Sequence, residues 1–252
     1  MEYVIVCIAA FLAGFMDAIV GGGGLLQMPT LLVLFPQLPF ASIVGTIKIS
    51  SISGTSFAAY KYAKEVVFDW KFLLMMVAAA FAGAMFGSYS ITFIDNKTIK
   101  PIVLFVLIAV AIYTYTNKSF GIQQEKEISK FTQLFVGLFF GFIIGFYDGL
   151  IGPGTGTFFI LVFIAFLGKD FLHASANAKV LNVATNFASL LYLGSTGHIV
   201  FKYAIPMACF NVLGSFFGTR LALLKGNAFV RIFFLVVVFA TILRFAYDIF
   251  LK

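Results

Sequence analysis

Residues 17–24 read Asp-Ala-Ile-Val-Gly-Gly-Gly-Gly, and residues 148–156 read Asp-Gly-Leu-Ile-Gly-Pro-Gly-Thr-Gly. Neither glycine run makes a good helix interior, because glycine loses the most backbone freedom on ordering and proline cannot continue the ladder. Yet both sit inside long apolar stretches. They also stand in one register, 131 residues apart, and that register extends well beyond them. Asp17 falls on Asp148, Gly21 on Gly152, Gly23 on Gly154, Lys48 on Lys179, Lys71 on Lys202, Gly83 on Gly214 and Gly87 on Gly218, without a gap. So many recurrences of Gly, Asp and Lys are not a chance agreement. The chain reads as one unit written twice.

What surrounds the breaks is hydrocarbon. Of the 252 residues 62% are apolar, 18% aromatic and only 11% charged. Soluble domains carry about 25% charged residues, so this chain could not cover a globular surface, and disordered chains are poorer still in apolar residues. Cys7 and Cys209 are too few and too distant for a disulfide framework or a Cys-based zinc site. A bilayer core asks for about 20 apolar residues per helix. Stretches 72–94 and 180–201 supply that without a charge, and 131–147 and 203–219 are shorter charge-free runs. Barrel strands would alternate polar and apolar positions, whereas these runs are apolar on every face. The expectation is an all-α integral membrane protein. Residues 4–16 are not a cleavable signal, since no basic region precedes them and Asp17 follows.

Each half divides into about four to five membrane segments. In the first half these are 3–20, the break 21–24, a short run 25–35 closed by Pro36, then 41–60, 72–94 and 101–116. The first repeat is set at 1–117, a polar linker at 118–130 and the second repeat at 131–252. Internal repeats are the common construction of secondary transporters, with the substrate between them near the mid-plane. Cytoplasmic loops collect Lys and Arg. Inverted halves put Lys61, Lys64, Lys71, Lys118, Lys126, Lys130, Lys169, Arg220, Lys225 and Arg231 inside, against Lys97, Lys100, Lys202 and Lys252 outside. Parallel halves give a weaker bias, so inversion is favoured, and it demands an odd number of crossings per half. The net charge of +7 is spread over these loops and reads as cytoplasmic bias, not as a nucleic-acid surface.

Three features could carry chemistry. In lipid a broken helix must hide its freed amides in protein or a wet cavity, and the half-helix that follows aims N–H groups and a positive dipole end into the gap. Gly21, Gly22, Gly23 and Gly24, and Gly152, Gly154, Thr155 and Gly156, therefore form a candidate anion site; the bland alternative is close helix packing. No Gly-Lys-Ser/Thr follows, so this is not a nucleotide loop. Lys48 and Lys179 lie well inside apolar helices, where a lysine costs at least about 2.5–3.5 kcal/mol on insertion scales, unless each snorkels to an interface. Around them stand Thr46, Ser50, Ser51, Ser53 and Thr55 in one half and Asn177, Asn182, Thr185 and Asn186 in the other. Asp17 and Asp148 could pair with the lysines, carry protons, or simply cap the breaks. Gly83-Ala-Met-Phe-Gly87 and Gly214-Ser-Phe-Phe-Gly218 read as helix-packing motifs. His173, His198 and Trp70 receive no functional role.

The stretches 14–29 and 145–156, with Gly45-Thr-Ile-Lys-Ile-Ser-Ser51, Val67-Phe-Asp-Trp70 and Ala178-Lys-Val-Leu-Asn-Val-Ala-Thr-Asn186, resemble the TauE/SafE family of membrane transporters, the sulfite-exporter-like permeases. The resemblance covers nearly the whole chain. It implies a small duplicated bacterial inner-membrane protein that moves sulfite, sulfonates or other organosulfur anions, drawn with about eight spans. Related sequences commonly have Thr-Asn-Lys where this one has Thr46-Ile-Lys48, which implies one polar ligand fewer in the first half. The combined expectation is a multi-pass carrier of a small anion working by alternating access, with Lys48, Lys179, Ser51, Asn182 and Asn186 among the ligands. An anion channel is the alternative. With no His-Glu-x-x-His, Cys-x-x-Cys or carboxylate cluster, an embedded enzyme is disfavoured; no cofactor or metal is expected. A subunit of a larger assembly is a further rival.

Overall fold

The computed structural model of the chain describes residues 1–93 and 128–250. The expected segment 101–116, the boundary at 117 and most of the linker 118–130 lie outside the described residues. Among the described residues all regular structure is helical: α1 (Glu2–Val20), α2 (Gly24–Leu34), α3 (Phe40–Tyr62), α4 (Trp70–Ser90), a 3-10 turn (Ile91–Phe93), α5 (Lys130–Leu150), α6 (Thr155–Ala165), α7 (Phe171–Ser195) and α8 (Phe201–Phe250). α8 is broken at Gly226, whose φ of 67° and ψ of −163° lie outside helical space. The helices start where side chains can take the orphan amides. Asp69 accepts from Phe72 N at 3.2 Å before α4, Ser129 from Thr132 N at 3.2 Å before α5, and Asp170 from His173 N at 2.9 Å before α7. His173 returns a ring contact to Asp170 at 2.8 Å, which makes it part of that cap.

α1, α4, α5 and α8 up to Gly226 are each long and apolar enough to cross a membrane. α3 and α7 are as long, with 23 and 25 residues, but carry the buried lysines and their polar neighbours. The run 180–201 is not one helix, as its charge-free composition suggested: α7 begins at Phe171 and ends at Ser195, where Thr196 and Gly197 turn the chain.

Element bounds recur at the spacing of the sequence repeat. α2 and α6 are each 11 residues long and begin 131 positions apart. Packing contacts recur too, with the partners exchanged. A Cβ on Gly14 would strike the Asn211 carbonyl, and one on Gly145 the Ala80 carbonyl. Gly83 lies on the Phe142 carbonyl and Gly214 on that of Phe11; Gly87 lies on Phe146 and Gly218 on Phe15. The two Gly-x-x-x-Gly motifs thus sit at backbone-to-backbone crossings, α4 on α5 and α8 on α1.

Contacts also fix helix directions. Asn211 Nδ2 donates to Ala10 O at 3.1 Å and Ser215 Oγ to Gly14 O at 3.2 Å, so α1 and α8 run parallel. The same order, Gly83 on Phe142 and Ser88 on Gly149, makes α4 parallel to α5. At the end of α3 Tyr62 donates to Ala18 O at 3.0 Å, and at the start of α7 Ser175 donates to Ile19 O at 2.8 Å. Thr46, early in α3, accepts from Val200 N just past α7 at 3.0 Å. α3 and α7 therefore run antiparallel. Many large apolar side chains, among them Leu74, Phe86, Phe135, Phe187 and Leu224, point outward. An outside this apolar suits lipid.

Candidate functional site

α1 and α5 end the same way. Gly21 closes α1 at φ 77° and Gly152 follows α5 at φ 92°, a left-handed region where a Cβ is penalised. The two breaks then cross in direct contact, because a Cβ on Gly21 would collide with the Gly156 backbone and one on Gly156 with Gly21. From this crossing the short helices diverge. α2 runs to the end of the bundle where Phe35 packs against Tyr203 with tilted rings, at 4.3 Å between ring centroids. α6 runs to the other end, where Lys169 and Asp170 precede α7. Two helix N-termini are thereby held at the middle of the molecule, each a source of positive potential.

Beside them lies a small, partly open cavity of about 30 Å³. Of the residues expected to form a site, Asp17, Gly21, Gly24, Lys48, Ser51, Asp148, Gly152, Thr155, Gly156, Asn182 and Asn186 line it. Thr55, Pro153 and the apolar Met28, Val44, Ile47 and Ile151 complete the wall. Gly22, Gly23, Gly154 and Lys179 do not line it. Gly23 packs on Ala13 and Asp17 of α1, a structural place. Ser50 faces α8 and reaches Met207 O at 3.3 Å.

The charges pair across the two halves. Lys48 Nζ lies 2.5 Å from Asp148 Oδ2, with each side chain 4% exposed. Lys179 Nζ lies 4.0 Å from Asp17 Oδ2, the same pairing with the halves exchanged. The two pairs are unequal. Asp17 is also held by Thr55, which donates to Oδ2 at 2.9 Å. Lys179 is wholly buried, and its ammonium has no hydrogen-bond partner among the described residues. Asn182 Oδ1 is likewise unpartnered at the cavity wall. Tyr147 clamps the second break, donating to Pro153 O at 2.6 Å. Its role lacked a sequence signal, since an aromatic before an aspartate is ordinary in so aromatic a chain. Gln27, fully buried in α2 with neither amide atom partnered, was also missed.

Neither lysine snorkels. In lipid a buried ammonium persists only beside a compensating charge or wet cavity, and Asp148 and Asp17 supply the first. No group of three or more His, Cys, Asp or Glu able to hold a metal ion occurs among the described residues.

Comparison with known proteins gives a match to the family described as Sulfite exporter TauE/SafE over residues 6–245. A "Probable membrane transporter protein ORF9" of Sinorhizobium sp is 33% identical over 241 residues, covering 96% of this chain and 91% of the relative. A "Probable membrane transporter protein" of Haemophilus influenzae is 29% identical over 94% of this chain and 92% of its own length. The "Probable membrane transporter protein YfcA" of Escherichia coli K12 is 28% identical, covering 95% and 87%. No solved structure gives a significant match.

Proposed function

The chain belongs to the Sulfite exporter TauE/SafE family, and on that premise we propose that it is a secondary carrier for a small anion in the cell's inner membrane. A sulfite, sulfonate or other organosulfur anion is the class the family name favours. The observation that carries the anion reading is Lys48: a buried lysine lining a central cavity into which two helix N-termini also point. The Ser51 and Thr55 hydroxyls and the Asn182 and Asn186 amides offer neutral hydrogen bonds to oxyanion oxygens.

The magnitudes are adequate. An anion about 4 Å from an ammonium gains about 4 kcal/mol at an effective dielectric of about 20, which alone corresponds to a Kd of about 1 mM. Transport by alternating access suits two inverted repeats rocking about the crossed breaks. The recurring element bounds, the exchanged contacts and the antiparallel α3 and α7 all support that arrangement. Lys179 acts here as the counter-charge that allows Asp17 to remain in the wall.

The test is a thermal-shift screen of detergent-purified protein against sulfite, methanesulfonate, sulfoacetate and sulfate, followed by uptake into proteoliposomes. Lys48→Ala is expected to insert with a lowered melting temperature, since Asp148 loses its buried partner, and to lose both the ligand shift and the uptake. Full uptake by that variant would overturn the site. Saturable counterflow marks a carrier; its absence with conductive flux would mark a channel.

A further inference from the structure

Resting on that reading, we infer that a monovalent anion carried through the cavity travels with one proton, held on Asp148. The starting point is the charge count at the site. Two lysines face two aspartates, so with all four ionised the site is neutral before any substrate arrives. Lys48, the cation that reaches the cavity, already has its ammonium against Asp148. An anion placed at Lys48 would meet the Asp148 carboxylate at the same position. Gly152 leaves this place free of a side chain, since a Cβ there would sit 3.3 Å from Lys48 Nζ and 3.4 Å from Asp148 Oδ1.

Protonation resolves the conflict. A proton taken from water by Asp148 removes the carboxylate charge and frees the Lys48 ammonium, which keeps its own protons. The anion then occupies the vacated place. On the far side the anion leaves, Asp148 returns its proton to water and the ion pair re-forms. Nothing else is consumed, and a monovalent anion crosses without net charge.

Asp17 does not suit this part. Its carboxylate receives the Thr55 hydroxyl and is the nearest counter-charge to Lys179, which has no other partner among the described residues and does not line the cavity. Protonating Asp17 would strand a buried cation that no anion can reach. The charged groups facing Asp148 are Lys48 from α3 and, across the cavity, Asp17 from α1 with Lys179 from α7 behind it. On its own helix Tyr147 is engaged by Pro153, while Ser88 of α4 and Thr155 of α6 donate to the Gly149 and Gly152 carbonyls. Lys48 is therefore the partner whose release the proton controls.

Methanesulfonate, a permanent monoanion, confines any pH effect to the protein. Its binding to the purified wild type is expected to weaken about tenfold per pH unit at the alkaline end of pH 5–8, because binding takes up one proton. Asp148→Asn is expected to abolish that slope. In proteoliposomes with a trapped pH dye, an acid exterior should drive accumulation with one proton entering per anion. Wild-type binding that ignores pH, or accumulation without a dye response, overturns the coupling and leaves the anion carrier standing. If neither methanesulfonate nor sulfite binds or moves, the anion reading fails and the coupling with it. Should Asp148→Asn not fold, the wild-type dye stoichiometry decides alone.

Discussion

Lys179 is the residue whose position most constrains the molecule. It is wholly buried, and Asp17 at 4.0 Å is its nearest carboxylate. Breaking a buried pair by removing one member costs about 3–5 kcal/mol, because the other is left as an unpaired charge. Lys179→Ala should therefore lower the unfolding temperature in detergent markedly. Asp17→Asn placed in the same chain should restore most of the loss, since both charges are then gone. A double variant no more stable than Lys179→Ala would mean that the pair is not coupled. The pairing itself could not be read from the linear chain. Lys48 and Lys179 have repeat-equivalent surroundings, as do Asp17 and Asp148, so pairing within a half and across halves look alike until the fold is known. For the same reason the burial of Lys179 away from the cavity had no signal.

At the scale of elements, far more was legible. Glycine runs end helices wherever they stand, and α1, α2 and α3 begin and end within about two residues of the boundaries that apolar runs, Pro36 and the charged loops imply, while α4 ends at Ser90, four residues short of the expected 94. Which helix lies on which was not legible beyond the Gly-x-x-x-Gly motifs, whose partners in space the chain does not state. These crossings are tight enough to test. Gly214 of α8 lies on the Phe11 carbonyl of α1, backbone that cannot rotate away. Gly214→Ala should destabilise by about 1–3 kcal/mol, the usual cost of overpacking, and melting in detergent reads it directly. Gly194 in α7 is the contrast: an added Cβ meets only Ile199 Cδ1, at 3.4 Å. Gly194→Ala should be neutral or raise the melting temperature, as alanine is the better helix former.

For the molecule as a whole, helix directions turn loop charge into sidedness. With α3 parallel to α8 and antiparallel to α7, Lys61, Lys64, Lys169, Arg220 and Lys225 gather at one end of the bundle. Lys202 stands at the other, with Glu2 and Tyr3. By the positive-inside rule the first end is expected in the cytoplasm and the amino terminus outside. Single cysteines at Lys64 and Lys169, in a chain without Cys7 and Cys209, should be shielded in intact spheroplasts from a maleimide that cannot cross the membrane. One at Thr196 should react. Labelling of Lys64 and Thr196 from the same side would refute the antiparallel halves.

The inequality of the two lysine–aspartate pairs carries a last consequence. Thr55 ties down the Asp17 carboxylate, whereas its counterpart 131 positions on, Asn186, stands with Asp148 in the cavity wall. Two acids at one register position thus have different neighbours, and a single residue type can do two jobs in one chain.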